Sequence, residues 1–292
     1  MSEAATPVGG SGPEASGRIQ LMLADVDGTL VTQEKVLTPA AIAAAGDLRR
    51  AGIALAITSG RPPRGMSMLV EPLGLSTPIA GFNGGVFVQP DLSVIESHVL
   101  DPAVAKEALG LILDAGLDAW IYTPDDWLIR DPSAPHVARE AWTVKFDAKV
   151  VPSFTAAVLA DTVKIVGISD DLAKVADCER SAQATLSGRA SAARSQPYYL
   201  DVTHPLANKG QVVAWLSRRL GIPPAEIATM GDMPNDVLMF TASGCSIAMG
   251  QAADEVKAKA TMTTDANDAD GFAKAIDALL ARQVGQEGEH ER

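Results

Sequence analysis

The sequence predicts an α/β fold: a doubly wound, parallel-sheet core with a second, α+β domain inserted into it. Short apolar segments alternate with helix-length segments in residues 18–85 and again in residues 203–285. This alternation is typical of a parallel sheet covered by helices on both faces. Between these two stretches, residues 86–202 mix strand-like and helix-like segments without a clean alternation. We therefore expect one discontinuous core domain and one inserted domain.

The first half of the core begins with a short apolar strand at residues 21–24. A helix is predicted over residues 38–50, because Thr38 can cap it and Pro39 suits its first turn. Residues 53–57 are all apolar, as expected of a parallel strand that is buried on both faces. A short third strand follows at residues 78–80.

The second half of the core returns to the same alternation. A helix opens at Lys209 and runs to Leu220, and a strand follows at residues 227–230. A further strand is predicted at residues 245–248, and a last helix at residues 271–281. The two ends of the chain differ from this pattern. Residues 1–17 are rich in Gly, Ser, Ala and Pro, which predicts a disordered tail without a signal peptide, and residues 286–292 are predicted to be a polar tail.

Composition limits the classes of function. The chain has 292 residues, of which 47% are hydrophobic, and a formal net charge of −12. An acidic protein is a poor partner for nucleic acid or an anionic membrane, and no apolar stretch has the length of a membrane helix. The two cysteines, Cys178 and Cys245, lie far apart without metal-binding spacing, which indicates a reduced, cytoplasmic protein.

Polar residues follow four of the predicted core strands, and a lysine opens a neighbouring helix. The carboxyl ends of parallel strands meet at one crevice, so we expect these side chains to lie together. Each one alone has a simpler explanation: Asp-x-Asp-Gly is an ordinary turn, a serine can cap a helix, and a first-turn lysine is usually solvated. Their joint occurrence in this order favours a site. The residues are Asp25, Asp27, Ser59, Asn83, Lys209, Asp232, Asn235 and Asp236.

This set of side chains predicts a metal-dependent reaction. Several carboxylates in one crevice repel one another unless a cation lies among them. Oxygen ligands without His or Cys suit a hard ion, Mg²⁺ before Zn²⁺. A carboxylate nucleophile, a lysine and a small hydroxyl group beside Mg²⁺ suit phosphoryl transfer through an aspartyl-phosphate.

Four motifs in this order resemble those of the haloacid dehalogenase (HAD) superfamily: Asp25-Val26-Asp27-Gly28-Thr29-Leu30, Thr58-Ser59-Gly60-Arg61-Pro62, Lys209-Gly210, and Gly231-Asp232-Met233-Pro234-Asn235-Asp236. Asn83-Gly84-Gly85 is similar to the Asn-Gly pair of its Cof-type members, and the inserted domain resembles their C2-type cap. The resemblance covers nearly all of residues 20–281. It implies a HAD-like Rossmannoid core and a Mg²⁺-dependent phosphatase.

The resemblance also implies a role for each motif residue. Asp25 corresponds to the nucleophile, and Asp27 to the general acid that then acts as a base. Ser59 and Lys209 correspond to groups that bind and stabilise the phosphoryl group. Further substrate-binding candidates are Gly60, Arg61 and Asn83. The implied metal-binding residues are Asp25, Asp27 (through its carbonyl oxygen), Asp232, Asn235 and Asp236.

The expected substrate is a small phosphomonoester, a sugar phosphate before a phosphorylated cofactor. A phosphomutase and a non-enzymatic phosphate-binding module on the same fold are the alternatives. The expected assembly is a monomer or a homodimer. Within the cap, residues 120–127 and 196–205 are the candidates for selecting the leaving group, whereas Trp120, Trp127 and Trp142 are expected to be core.

Overall fold

The computed structural model describes residues 18–290, with side chains described to Val284. Its strands are β1 (Leu21–Asp25), β2 (Ala54–Thr58), β3 (Ile79–Gly81), β4 (Val86–Val88), β5 (Val94–Ser97), β6 (Asp118–Tyr122), β7 (Trp127–Ile129), β8 (Lys149–Val150), β9 (Lys164–Ile168), β10 (Ser191–Gln196), β11 (Tyr199–Thr203), β12 (Ile227–Gly231), β13 (Cys245–Ala248) and β14 (Met262–Thr263). Its helices are α1 (Pro39–Arg50), α2 (Ser67–Leu73), α3 (Pro102–Asp114), α4 (Val137–Val144), α5 (Ala156–Ala160), α6 (Leu172–Thr185), α7 (Lys209–Leu220), α8 (Val237–Ala242), α9 (Asp254–Lys257) and α10 (Gly271–His290).

The core is an eight-stranded sheet in the order β14-β13-β12-β1-β2-β3-β4-β5. Strand β1 lies near its centre and runs parallel to both β12 and β2. All five residues of β1 are buried, as a strand covered on both faces requires. Helices pack on the two faces of this sheet and form two separate apolar clusters. The predicted α/β fold with a doubly wound core is confirmed.

Side-chain caps set the first residues of two core helices. The Thr38 side chain accepts a hydrogen bond from the Ala41 N–H at 3.1 Å, and Pro39 is the first residue of α1, as predicted. Asn208 caps α7 by accepting from the Gln211 N–H at 3.1 Å. Lys209 is therefore the first residue of that helix, and its position is set by the cap.

The last helix is longer than predicted. Helix α10 continues from Gly271 to His290, past the predicted end at residue 281 and into the stretch expected to be a polar tail. Its polar residues include Gln and Glu, which are good helix formers, so loss of apolar residues alone does not end the helix. The predicted disordered tail at residues 1–17 lies outside the described residues.

The inserted domain contains a six-stranded sheet in the order β10-β11-β9-β6-β7-β8. One face packs against α3 and α6, and the other faces the core domain. The chain passes from the core domain to the inserted domain after Ser97, later than the predicted boundary at residue 85. The reason is that β4 and β5 form a hairpin that extends the antiparallel edge of the core sheet.

The inserted domain lies packed on the core. The rings of Phe82 and Tyr122 are 5.4 Å apart between centroids. Gly65 sits so close to α4 that a Cβ atom there would lie 2.9 Å from the Val144 carbonyl oxygen. Trp120 and Trp127 are buried, as predicted, whereas Trp142 is 50% exposed. Within residues 18–290 no helix combines the length and apolarity that crossing a bilayer demands.

Candidate active site

The carboxyl ends of the central strands bring the predicted side chains together. Asp25 is the last residue of β1, Ser59 directly follows β2, and Asp232 directly follows β12. These three strands are neighbours in the sheet, with β1 in the middle. Lys209, at the start of α7, reaches the same edge. The crevice expected from the sequence is therefore formed by adjacent strand ends.

Lys209 links two carboxylates at the bottom of this crevice. Its Nζ lies 2.6 Å from Asp25 Oδ1 and also donates to Asp236 Oδ1. The three side chains are almost fully buried, with exposed fractions of 2%, 6% and 0%. Burial acts to lower the pKa of the lysine, but the charges of the two aspartates outweigh it and raise that pKa. Lys209 is therefore a fixed positive charge.

Asp236 also holds the loop that carries Asp232. Its Oδ2 accepts hydrogen bonds from the backbone N–H groups of Asp232 at 2.9 Å and Met233 at 2.8 Å. Both oxygens of Asp236 are therefore engaged. This side chain orients Lys209 and Asp232 by direct contacts.

Asp25, Asp232 and Asp236 form a group that fits a metal ion. One carboxylate oxygen from each lies within 4.8 Å of the others. Asp232 Oδ1 is buried and has no hydrogen-bond partner among the described residues. An all-oxygen donor set with an unpartnered buried carboxylate oxygen suits a hard divalent cation. Asp25 and Asp232 have the free capacity to bind it.

The pKa values of Asp25 and Asp232 reflect the burial of several carboxylates close together. Burial raises the pKa of Asp25 well above its usual range, and the charges of Asp236 and Asp232 add to the effect while Lys209 opposes it. Burial and the charge of Asp236 raise the pKa of Asp232 to about 6. A bound cation would offset both effects, because it favours the ionised carboxylates.

Asp27 has a different environment, dominated by two cations. Arg61 donates to both of its oxygens, from Nε at 2.7 Å and from Nη2 at 2.6 Å. Lys35 Nζ lies 2.7 Å from Asp27 Oδ1. Burial acts to raise the pKa of Asp27, but Arg61 and Lys35 outweigh it and lower that pKa to about 2. The two aspartates of the first motif are therefore held in opposite electrostatic settings.

Gly28 permits the close approach of the first and last motifs. Its φ is +80°, and a Cβ atom at this position would lie 2.8 Å from Asp232 Cγ. Gln251 joins the same two segments, because its Nε2 donates to the Gly28 carbonyl oxygen and lies 3.4 Å from Asp232 Oδ2. A side chain at residue 28 would displace the carboxylate that is best placed to bind a metal.

Ser59 and Asn83 lie on the Arg61 side of the crevice. The Ser59 Oγ accepts from the Arg61 N–H at 3.2 Å and is 3.5 Å from Asp27 Oδ2. Asn83 has a left-handed backbone, with φ of 57°. Its N–H donates to the Ser59 carbonyl oxygen at 2.7 Å, which ties the two loops together. The Asn83 Oδ1 is buried and lacks a partner within the described part of the chain.

Asn235, a predicted metal-binding residue, is exposed in the middle of the short 3₁₀ turn Pro234–Asp236, while its neighbour Asp236 is fully buried. Its role toward a metal stays a prediction. Lys35 and Gln251, which contact site aspartates, are residues that the sequence interpretation missed. Neither belongs to a motif, and a lone surface-like lysine or glutamine carries no signal of such a contact.

Comparison with known proteins assigns the family. The sequence profile of the haloacid dehalogenase-like hydrolases matches residues 22–276. The chain belongs to this family. The match includes all four motifs and the inserted domain, so the predicted resemblance is confirmed.

Relatives of this haloacid dehalogenase-like hydrolase include named phosphatases. It is 26% identical over 284 residues to the 5-amino-6-(5-phospho-D-ribitylamino)uracil phosphatase YwtE of Bacillus subtilis, covering 89% of this chain and 97% of the relative. It is 26% identical over 262 residues to the pyridoxal phosphate phosphatase YbhA of Escherichia coli, covering 86% and 95%. A solved haloacid dehalogenase-like hydrolase from Bacteroides thetaiotaomicron superposes with a TM-score of 0.82 at 26% identity, covering 90% of this chain and 100% of that one. The chain thus belongs to a hydrolase family in which these relatives are named phosphatases.

Proposed function

We propose that this chain is a Mg²⁺-dependent phosphatase that hydrolyses a small phosphomonoester through an aspartyl-phosphate at Asp25. The observation that carries the proposal is the buried group of Asp25, Lys209 and Asp232 at adjacent strand ends. The named relatives act on phosphorylated small molecules, which supports the same class of substrate here. Sugar phosphates and phosphorylated cofactors are the candidates.

The first half of the reaction transfers the phosphoryl group to the protein. An Asp25 oxygen attacks phosphorus, a bond forms between them, and the bond from phosphorus to the leaving oxygen breaks. Lys209 and the Ser59 hydroxyl are suited to stabilise the negative charge on the phosphoryl oxygens. Asp25 and Asp232 would hold Mg²⁺, which supplies further charge neutralisation. Asp236 fixes the positions of Lys209 and Asp232 by its hydrogen bonds.

Asp27 is suited to move the protons. It gives a proton to the leaving oxygen, and then takes one from the water that attacks phosphorus and releases phosphate from Asp25. Held by Arg61 and Lys35, Asp27 is a carboxylate, the form that accepts a proton. An incoming phosphate dianion attracts the same two cations. If Arg61 and Lys35 turn from Asp27 to the phosphate, the pKa of Asp27 rises. The Asp27 carboxyl can then take up from water the proton that it gives to the leaving oxygen in the first step.

Hydrolysis of a panel of phosphate esters tests the proposal. We expect phosphate release with Mg²⁺, its loss with EDTA and its return when Mg²⁺ is added back. Asp25→Asn should abolish turnover and leave the thermal unfolding transition in place. Activity that is indifferent to EDTA would refute the metal, and appreciable turnover by the variant would refute the nucleophile.

The same panel separates the alternatives. A phosphomutase would isomerise a sugar phosphate without releasing phosphate, and a binding module would release none from any ester. A monomeric or dimeric state and a cytoplasmic location stay predictions. Both cysteines are free thiols in the fold, which is consistent with that location.

A further inference from the structure

Gln251 contacts two of the segments that form the proposed metal site. Its Nε2 donates to the Gly28 carbonyl oxygen and lies 3.4 Å from Asp232 Oδ2. A side-chain amide nitrogen carries two hydrogens, so this one nitrogen can serve both acceptors. Gln251 lies outside the four motifs, and the proposed reaction gives it no part. Its contacts therefore call for an explanation of their own.

The orientation of the Gln251 amide follows from its surroundings. On the side away from Gly28, its Oε1 accepts from the backbone N–H of Asn267 at 3.1 Å. A backbone N–H needs an acceptor and a backbone carbonyl needs a donor, so Asn267 and Gly28 fix which end of the amide faces each of them. The nitrogen of Gln251 therefore faces Asp232.

Asn267 holds Gln251 in place from behind. Asn267 is buried, and its Nδ2 donates to the Val31 carbonyl oxygen at 2.9 Å. Val31 belongs to the same loop as Gly28, so the contacts that run from Gly28 through Gln251 and Asn267 return to the loop from which they start. This closed set of hydrogen bonds restrains the amide against which the Asp232 carboxylate lies.

The two oxygens of Asp232 have different environments. Oδ2 lies beside Gln251, and it is also the atom that a Cβ on Gly28 would approach most closely. Oδ1 is buried and has no hydrogen-bond partner within residues 18–284. Buried polar atoms in native proteins nearly always have a partner, so Oδ1 is the oxygen that is suited to a bound cation.

The other carboxylates of the site are limited in the same way. Lys209 Nζ lies 2.6 Å from Asp25 Oδ1, and both oxygens of Asp236 accept hydrogen bonds. Mg²⁺ prefers a small octahedral set of oxygens, whereas Ca²⁺ takes more oxygens and often both oxygens of one carboxylate. Carboxylates that each offer a single oxygen therefore favour the smaller ion.

We propose that Gln251 is a positioning residue that limits Asp232 to one metal-binding oxygen, and that the site thereby favours Mg²⁺ over Ca²⁺. The amide acts through the Asp232 carboxylate. Without it, Asp232 Oδ2 is free to join Oδ1 on a larger ion. This inference rests on the metal site of the proposed function and names the contact that makes the site selective.

Gln251→Met tests the inference, because methionine has a similar length and no N–H group. Metal-free protein is titrated with MgCl₂ or with CaCl₂ in the absence of substrate, and the rise in Tm gives a dissociation constant for each ion. Loss of a group that orients a metal ligand lowers metal affinity by about tenfold or more. We expect this loss for Mg²⁺ and a much smaller one for Ca²⁺. The ratio of the Ca²⁺ to the Mg²⁺ dissociation constant should therefore fall about fivefold or more.

Gln183→Met is the matched control. Gln183 is exposed, as Gln251 is, and its Nε2 also donates to a backbone carbonyl, that of Ala192 in the inserted domain, at 2.9 Å. The same substitution there should leave both dissociation constants as they are in the parent protein. The ratio is the decisive measurement, because a general loosening of the loop would weaken the binding of both ions alike and leave the ratio unchanged.

The possible failures are distinct. If neither ion raises the Tm of the parent protein, the metal site of the proposed function and the inference fail together. If the parent binds Mg²⁺ and Gln251→Met keeps the parent's ratio, the inference alone is overturned. A parent protein that binds Ca²⁺ as tightly as Mg²⁺, or a ratio that falls equally in Gln183→Met, would also overturn it.

Discussion

Lys209→Met removes the cation that binds Asp25 and Asp236. Methionine has a similar length and an apolar end, so the change removes charge with little loss of volume. The partners of Lys209 are nearly inaccessible to water, with exposed side-chain fractions of 6% and 0%. Water therefore cannot replace the ammonium group, and two carboxylates are left buried beside Asp232.

The expected cost follows from this burial. Breaking a buried ion pair by removing one partner costs about 3–5 kcal/mol, because the remaining charge is uncompensated. A large domain loses roughly 2–3 °C in Tm for each kcal/mol. We therefore expect Lys209→Met to lower Tm by roughly 6–15 °C near neutral pH in EDTA.

The pH dependence of this loss has a definite sign. Burial raises the pKa of Asp25 in the folded protein, and removal of Lys209 raises it further. A carboxyl whose pKa is raised in the folded state binds protons more tightly there than in the unfolded chain. The free energy of unfolding therefore increases as the pH falls toward the pKa of this carboxyl in the unfolded chain. The Tm difference between Lys209→Met and the parent should therefore shrink between neutral pH and about pH 5.

Thermal unfolding followed by circular dichroism measures this difference, and Lys35→Met is the matched control. Lys35 also binds a site aspartate, but the side chains of this pair are 20% and 31% exposed, and Asp27 keeps Arg61. An ion pair of this kind contributes about 1 kcal/mol or less. Equal losses in the two variants, or a Lys209→Met loss that grows at acid pH, would refute the reasoning.

Two further predictions concern the segments around Asp27. Gly28→Ala should weaken the stabilisation of the protein by Mg²⁺, because a Cβ atom would lie 2.8 Å from Asp232 Cγ on a backbone that disfavours side chains. The rise in Tm on adding Mg²⁺ measures this stabilisation, and the same rise in the variant and the parent would contradict the prediction. Arg61→Lys keeps a positive charge but loses the two-point contact with Asp27, so the pKa of Asp27 should rise. The acid limb of the pH profile of kcat should then move to higher pH, and a limb that stays in place would show that Asp27 does not set it.

The sequence predicts the core better than the inserted domain, and the difference has a physical basis. Leu21 and Ile57 each belong to a short apolar run that ends in polar residues, and a parallel sheet leaves little freedom in where such ends meet. The placement of Asp25, Ser59 and Lys209 at one edge follows from this rule. Residues 131–161 follow no such rule, since α4 and α5 are short and packed by tertiary contacts.

Contacts made by residues outside the motifs are the part that the sequence does not predict. Lys35 reaches Asp27 from a turn with φ of 62°, and Gln251 reaches Gly28 across more than two hundred residues. The hairpin of β4 and β5 extends the core sheet, although the end of the strand–helix alternation at residue 85 predicted that a new domain begins there. The set of side chains that the inserted sheet turns toward the core depends on how β6, β9 and β11 are paired. Alternation along a strand shows which residues share a face, but the register between strands is known only from the structure.

The central claim is that Asp25 carries the phosphoryl group, and trapping that group tests it most directly. Asp27→Asn should block the breakdown of the aspartyl-phosphate, because no base then activates the water. The aspartyl-phosphate should still form from p-nitrophenyl phosphate, because p-nitrophenolate leaves without needing a proton. With p-nitrophenyl phosphate labelled on phosphorus, we predict a burst of about one p-nitrophenolate per protein chain, with the label on the peptide that contains Asp25. A slow release of p-nitrophenolate without a burst, or a label on another residue such as Ser59, would contradict the account.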